Sequence, residues 1–203
     1  MNQKKIIKFL QNTISNPYKQ PLLTHPLGFL SWKIGPVDEF DGSIRIHYWP
    51  INGRKYKQPN WQIHTHNFHL KSHILMGCIT NIDYERSSPH TTGLWHEFKA
   101  TYQNQTTSIE STGKTFSLNK KSEITHKGGE VYEVKKGTFH QSVVDINSEC
   151  LTLAIESHKD TSADPIIAGS QSTGKFVFHY EEADKNIILE ALRKSICMHN
   201  AAE

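Results

Sequence analysis

The sequence predicts an all-β fold of the sandwich or barrel type with a short helix at each end, and two observations predict it. First, eight short segments are rich in β-branched and aromatic residues, and turns that contain glycine separate most of them. Second, no long helical pattern lies between these segments, which argues against a parallel α/β fold. The chain has 203 residues, of which 36% are hydrophobic, so we expect one domain over residues 1–203.

Each predicted element follows from a local pattern. Apolar residues at helical spacing in KKIIKFLQNTI and ADKNIILEALRKSI predict terminal helices over about residues 3–15 and 183–198. Between them we expect a β-barrel core over about residues 28–180. Its predicted strands are FLSWKI, SIRIHYWP, WQIHTH, HILMGCITNIDY, FKATY, EVYEVKKG, QSVVDI and CLTLAIES. The segment 87–127 is polar and irregular, and we expect it to hold an extra hairpin or a flexible loop.

Composition and charge exclude several classes of function. The net charge is +3 and the basic residues are scattered, so the chain has no basic stripe of the kind that nucleic-acid binding needs. No apolar run approaches the roughly 20 residues of a membrane span, and the N-terminus lacks the apolar core of a signal peptide. The widely spaced Cys78, Cys150 and Cys197 indicate neither a disulfide framework nor a zinc site. We therefore expect a cytoplasmic protein.

Histidines are concentrated in one short segment. Four of the 13 histidines, His64, His66, His69 and His73, fall between residues 64 and 73. In a strand, His64 and His66 share a face, which is the arrangement that two ligands of one metal need. The spacing of His69 and His73 suits a helix, so that pair carries less weight. The best remote third ligand is His140, which lies just after a predicted turn. Each feature alone is more often a surface or core feature than a metal ligand, so the prediction of a metal site depends on the pair and His140 together.

That joint pattern resembles the cupin superfamily, and the first cupin motif carries half of the resemblance. The motif runs Gly, five residues, His-x-His, three or four residues, Glu, six residues, Gly. Here His64 and His66 form the pair, and Gly77 stands at the final position. Gln58 replaces the first glycine and Leu70 replaces the glutamate, so the glutamate ligand of the family is missing.

The second motif carries the other half of the resemblance. It runs Gly, five residues, Pro-x-Gly, two residues, His, three residues, Asn. Here Gly129, Gly137 and His140 keep their positions, whereas Lys135 replaces the proline and Val144 the asparagine. The resemblance covers residues 44–156. It implies a cupin-type double-stranded β-helix, or jelly-roll barrel, with His64, His66 and His140 as metal ligands.

A three-histidine site is similar to that of the thiol dioxygenases and the diketone-cleaving cupins, which use non-haem iron. Three neutral imidazoles leave the charge of a divalent metal uncompensated and leave open positions for an anionic substrate and O₂. The resemblance therefore implies an oxygenase with Fe(II), with Zn, Ni, Mn and Cu as alternative metals. The Ser-His-Tyr triad of thiol dioxygenases is absent, because Thr152, Ala154 and Glu156 stand on the corresponding face. A redox-neutral isomerase or lyase and a non-catalytic binding module remain as alternatives.

Further polar residues could serve the site. His69, one residue before the missing glutamate, could be an extra ligand or support one. Lys33 and Arg45 could bind a substrate carboxylate, or they could be surface charges. Tyr132 and Glu156 could act as acid or base, or they could be an ordinary strand tyrosine and an exposed glutamate. The partners expected are a small-molecule substrate and O₂, and, by analogy with cupins, a second copy of the chain.

Overall fold

The computed structural model describes residues 3–88, 93–103 and 105–200. Within those ranges the protein is mostly β, with one helix near each end of the chain. The helices are α1 (Gln3–Ser15) and α2 (Lys185–Asn200), close to the predicted spans. The strands are β1 (Leu22–Thr24), β2 (Leu30–Pro36), β3 (Ser43–Trp49), β4 (His69–Ser87), β5 (Leu94–Gln103), β6 (Thr106–Lys127), β7 (Val131–Val134), β8 (Phe139–Val143), β9 (Cys150–Ser157), β10 (Ile166–Gly169), β11 (Lys175–His179) and β12 (Glu182–Ala183).

The strands join in one large antiparallel sheet whose order is β10-β5-β6-β4-β9-β3-β2-β1-β12. β4 is the central element because it belongs to both parts of the sheet. Its first half pairs with β9 and β7, and its second half pairs with β6 and β8. The structure thus confirms the predicted β class and shows that the strands pair antiparallel. β4 connects the part of the sheet beside the helices to the part that carries β8.

The two terminal helices cover one face of the β2–β3–β9 part of the sheet. Ile188 and Leu192 of α2 are fully buried against this face, and they pack in one apolar cluster with Ile46 of β3 and Leu153 of β9. Burying each such side chain contributes roughly 1.5–3 kcal/mol. Because alternate side chains of a strand point to opposite faces, the intervening polar residues lie on the face away from the helices. They include Arg45, His47, Thr152 and Glu156.

Two predictions about strands need correction. The predicted strand WQIHTH is not a regular strand: His64 forms isolated bridges to His140 and Ile167, and its neighbours are extended loop. The segment 87–127 is more regular than expected, because it contains all of β5 and β6, which pair as the hairpin that was one of the two expectations. β6 has few apolar residues, so its regularity comes from backbone pairing with β4 and β5 rather than from a hydrophobic pattern.

Candidate metal centre

Three histidines converge where the loop 61–68 meets β8. The backbone of His64 exchanges two hydrogen bonds with that of His140, at 3.0 and 2.9 Å, and this bridge holds the loop beside the strand. His66 lies two residues further along the same loop. The candidate ligand nitrogens of His64, His66 and His140 all lie within 4.8 Å of one another. The structure therefore brings together the pair and the remote histidine that the sequence singled out.

The closest approach in the cluster joins the Nε2 atoms of His66 and His140, which are 3.0 Å apart. The ring of His66 also stacks on Phe68, with 4.6 Å between ring centroids. His64 is oriented by its backbone, since its Nδ1 lies 2.7 Å from the carbonyl oxygen of Gln62. A carbonyl oxygen only accepts hydrogen bonds, so Nδ1 of His64 carries the proton and Nε2 keeps a lone pair.

Burial makes all three imidazoles neutral at pH 7. Removal from water disfavours the imidazolium form, so the pKa of each ring lies below its usual 6.5. For His66 the neighbouring histidines and the guanidinium of Arg45 lower the pKa further. Neutral imidazole is the charge state that binds a metal, so all three rings have the charge state that a ligand needs.

The donor set fits a divalent metal. Metal–imidazole bonds of about 2.1 Å at about 90° place two ligand nitrogens about 3.0 Å apart, as the Nε2 atoms of His66 and His140 are. Ligand nitrogens at about 90–109° around one metal lie about 3.0–3.4 Å apart, so the ring of His64, which lies up to 4.8 Å from the other nitrogens, must move by about 1.4–1.8 Å to share the ion. In residues 3–88, 93–103 and 105–200, no other group of three histidine, cysteine or acidic side chains is close enough to share an ion.

An ion pair lies on the face of the sheet that turns away from the helices. Arg45 of β3 pairs with Glu156 of β9, and their side chains are 31% and 8% exposed. The charge of Arg45 lowers the pKa of three histidines, His66, His25 and His47. Burial and Arg45 together lower the pKa of His47 to about 3. Arg45 thus disfavours protonation of the histidines around it, and Glu156 balances the charge of Arg45 within the ion pair.

His25 and His47 belong to this region although the sequence analysis did not single them out. Both rings pack against Phe29, His25 in a stacked arrangement at 4.1 Å and His47 in a tilted one at 5.0 Å between ring centroids. The pKa of His25 is lowered chiefly by burial, and also by His47 and His64. The only signal in the sequence was that His47 and Arg45 stand two residues apart on one predicted strand and therefore share a face.

The remaining predicted residues lie apart from the cluster. His69 begins β4 on the face opposite Leu70, and its ring packs against His158 at 5.2 Å. Lys33 is exposed and stands opposite Arg45 in the β2–β3 pair. The structure therefore does not bring His69 to the other three histidines, and it places Lys33 beside Arg45.

Tyr132 is buried in β7 rather than beside the three histidines. Its hydroxyl lies 3.3 Å from Oγ of Ser142, two residues from His140 on β8, and its ring stacks on His126. Burial raises the pKa of Tyr132, so its hydroxyl stays protonated. A further residue near the cluster is Asn81 of β4, whose Oδ1 lies 2.9 Å from Nδ1 of His140, and no motif in the sequence marked it.

Comparisons with known proteins add little to this geometry. No family model matches the chain, and no curated protein matches it. Among solved structures, the chain is similar to a cupin-like protein from Thermotoga maritima, with 9% identity over 89% of this chain and 96% of that chain and a TM-score of 0.35. Neither described helix is long and apolar enough to cross a membrane.

Proposed function

We propose that the protein is a metal-dependent enzyme of the cupin class, a non-haem Fe(II) oxygenase that acts on a small anionic metabolite. The observation that carries the proposal is the convergence of His64, His66 and His140 as neutral imidazoles without a carboxylate. Such a set leaves the charge of a divalent ion uncompensated and several coordination positions open, so an anionic substrate completes the site. When bound, the iron supplies the activation of O₂ that no side chain provides.

Arg45 is the proposed anchor for the substrate. Its guanidinium is held by Glu156, and a guanidinium can bind a carboxylate through two parallel hydrogen bonds. Lys33, opposite Arg45 in the sheet, adds a second positive charge near the anchor. Phe29 and Phe68 supply apolar surface that limits access of water. We infer that the substrate carries at least one carboxylate or a comparable anionic group.

Glu156 and Tyr132 have different roles in this proposal. Because Glu156 forms an ion pair, it positions Arg45 rather than exchanging protons with the substrate. Tyr132 keeps its proton and lies apart from the three histidines, with its hydroxyl 3.3 Å from Oγ of Ser142, so we assign it a packing role rather than acid–base chemistry.

A redox-neutral reaction is the second candidate, and the ligand set favours it. Three histidines with an open fourth position are also a ligand set of catalytic zinc, which acts as a Lewis acid and lowers the pKa of bound water. This candidate differs from the first in the metal and in its independence from O₂. A third outcome, a binding module without catalysis, is distinguished by the absence of a bound metal.

The test is the metal content of untagged protein purified without oxygen, measured by mass spectrometry beside two variants. His140→Ala removes a ligand from the cluster. His179→Ala is the matched control, because this histidine is exposed on β11 and lies outside the cluster. We expect close to one iron per chain in the wild type and in the control, and loss of the iron in His140→Ala.

Each other outcome has a defined meaning. Zinc, nickel or manganese in place of iron, lost in His140→Ala, would move the assignment to the redox-neutral class. Oxygen uptake with small carboxylates then separates an oxygenase from a Lewis-acid enzyme. A wild-type protein that binds none of these metals after reconstitution would refute the metal assignment and leave the binding module.

A further inference from the structure

A chain of hydrogen bonds runs from the surface to His140. Oγ of Ser122 donates to Oδ2 of Asp83 at 3.2 Å, and Oδ1 of Asp83 accepts from Nδ2 of Asn81 at 2.8 Å. Oδ1 of Asn81 then lies 2.9 Å from Nδ1 of His140. Asn81 and His140 are both buried, with 5% and 1% exposure. The contacts place three consecutive polar groups behind one member of the histidine cluster.

Strand register produces this chain. In the β4–β8 pair, Asp83 is opposite His140, and Asn81 is opposite Ser142. Directly opposite residues of an antiparallel pair point to the same face, as do residues two apart in one strand. Asn81, Asp83 and His140 therefore share one face of the sheet.

The direction of each hydrogen bond follows from the chemistry of its ends. A carboxylate only accepts hydrogen bonds, so Asp83 requires the NH₂ group of Asn81 to point towards it. The carbonyl oxygen of the Asn81 amide then necessarily faces His140. An amide oxygen also only accepts, so Nδ1 of His140 must carry the proton and Nε2 must keep its lone pair.

We propose that Asp83, acting through the amide of Asn81, is a positioning residue that holds His140 in the Nδ1–H tautomer, the one tautomer whose Nε2 can bind a metal in the cluster. The hydrogen-bonding part of this proposal stands on the described contacts alone. Its consequence for metal affinity rests on the proposed function.

The tautomer of His140 also determines that of His66 in the metal-free protein. The two Nε2 atoms are 3.0 Å apart, within hydrogen-bonding distance, and one of them must donate. Because Nε2 of His140 has no proton, Nε2 of His66 is the donor. Metal binding requires a lone pair on both atoms, so His66 must transfer its proton from Nε2 to Nδ1 through solvent, with no net release of protons. His140 keeps its tautomer throughout.

The experiment reads both tautomers by two-bond ¹H–¹⁵N correlation spectra of the imidazoles, before and after saturation with Zn(II). We expect Nδ1–H for His140 in both states, and a change from Nε2–H to Nδ1–H for His66 on addition of Zn(II). Asp83→Asn removes the acceptor-only group, so the amide of Asn81 can reverse. We expect both tautomers of His140 in that variant and a ten- to hundredfold weaker affinity for Zn(II), measured by chelator competition.

We call the hydrogen-bond chain from Asp83 through Asn81 to His140 the relay. A swapped variant, Asn81→Asp with Asp83→Asn, tests whether these residues act through the relay or only through packing. It keeps the net charge and nearly the same volume, and it places a carboxylate directly against Nδ1 of His140. We expect it to restore the single Nδ1–H tautomer and the wild-type affinity. Ser142→Ala is the matched control, because it removes a neighbouring hydroxyl on the same face but no member of the relay. Thermal unfolding confirms that each variant is folded.

Two results would overturn the proposal: an Nε2–H tautomer of His140 in the wild type, or an Asp83→Asn variant that keeps both the single tautomer and the affinity. Failure of the swapped variant to recover the tautomer would overturn it as well. If the metal-free tautomers are as expected but the wild type binds no Zn(II), the relay is supported and the proposed metal-dependent function fails.

Discussion

Replacing Glu156 with glutamine removes the charge that pairs with Arg45 while the shape of the side chain is kept. The partners lie on adjacent strands, and Glu156 is 8% exposed. Removal of one partner from a buried ion pair costs about 3–5 kcal/mol, because the other charge remains without compensation. Arg45 is 31% exposed, so water can partly replace the lost carboxylate. We therefore expect the free energy of unfolding to fall by about 2 kcal/mol.

For a chain of this size, a loss of about 2 kcal/mol lowers the melting temperature by about 4–8 °C. The assay is urea unfolding of the metal-free protein, with Glu133→Gln as the matched control. Glu133 also pairs across two strands, with Lys71 at 2.8 Å, but both side chains are exposed. Exposed pairs contribute at most about 1 kcal/mol.

A double-mutant cycle with Arg45→Met completes the test. Removing both charges leaves no uncompensated charge, so the double variant should be more stable than the sum of the two single effects predicts, by about 1–2 kcal/mol. If Glu156→Gln were as stable as Glu133→Gln, or if the effects of Glu156→Gln and Arg45→Met were additive, the ion pair would not stabilise the fold as expected. Glu156 would then return to the candidates for acid–base chemistry.

Two other predictions concern the motif glycines and one buried histidine. Gly77→Ala should destabilise the protein by several kcal/mol more than Gly137→Ala in urea unfolding, and equal effects would contradict this. Both glycines have φ near +80°, which costs about 1–2 kcal/mol for alanine, but only at Gly77 would a Cβ lie 2.0 Å from a backbone oxygen, that of Glu149. Burial lowers the pKa of His73 to about 4, so between pH 6.5 and about 4 the unfolded chain binds more protons and the free energy of unfolding decreases as the pH falls. His73→Leu should reduce this dependence by up to about 1.4 kcal/mol per pH unit, measured by unfolding at several pH values; an unchanged slope would exclude His73 as its source.

The β class and the terminal helices were predictable because local patterns determine them. Apolar residues at helical spacing require one covered face, and both helices lie against the sheet as that spacing predicts. β6 was not predictable, because its lysine-, serine- and threonine-rich sequence has no apolar alternation. Its structure depends on hydrogen bonds to β4 and β5, which join residues far apart in the chain.

The three-histidine cluster was predictable from two spacings, although the local structure around His64 was not. His64 and His66 meet His140 through an isolated backbone bridge and not through two regular strands. The spacing therefore identified the right residues, although the strand predicted for His64 and His66 was wrong. The sequence could not show whether His69 is a fourth ligand, because its position relative to the cluster depends on where β4 begins. In the structure His69 lies against His158 instead.

The sequence by itself determined the β class, the terminal helices and the identity of three histidines that can share a metal. Only the tertiary structure decided what surrounds them. The ion pair of Arg45 with Glu156 and the contact of Asn81 with His140 each depend on the register of two paired strands. Register is set by the pairing of distant segments, and a shift of one residue would turn these side chains to the opposite face. No local pattern in the chain contains that information.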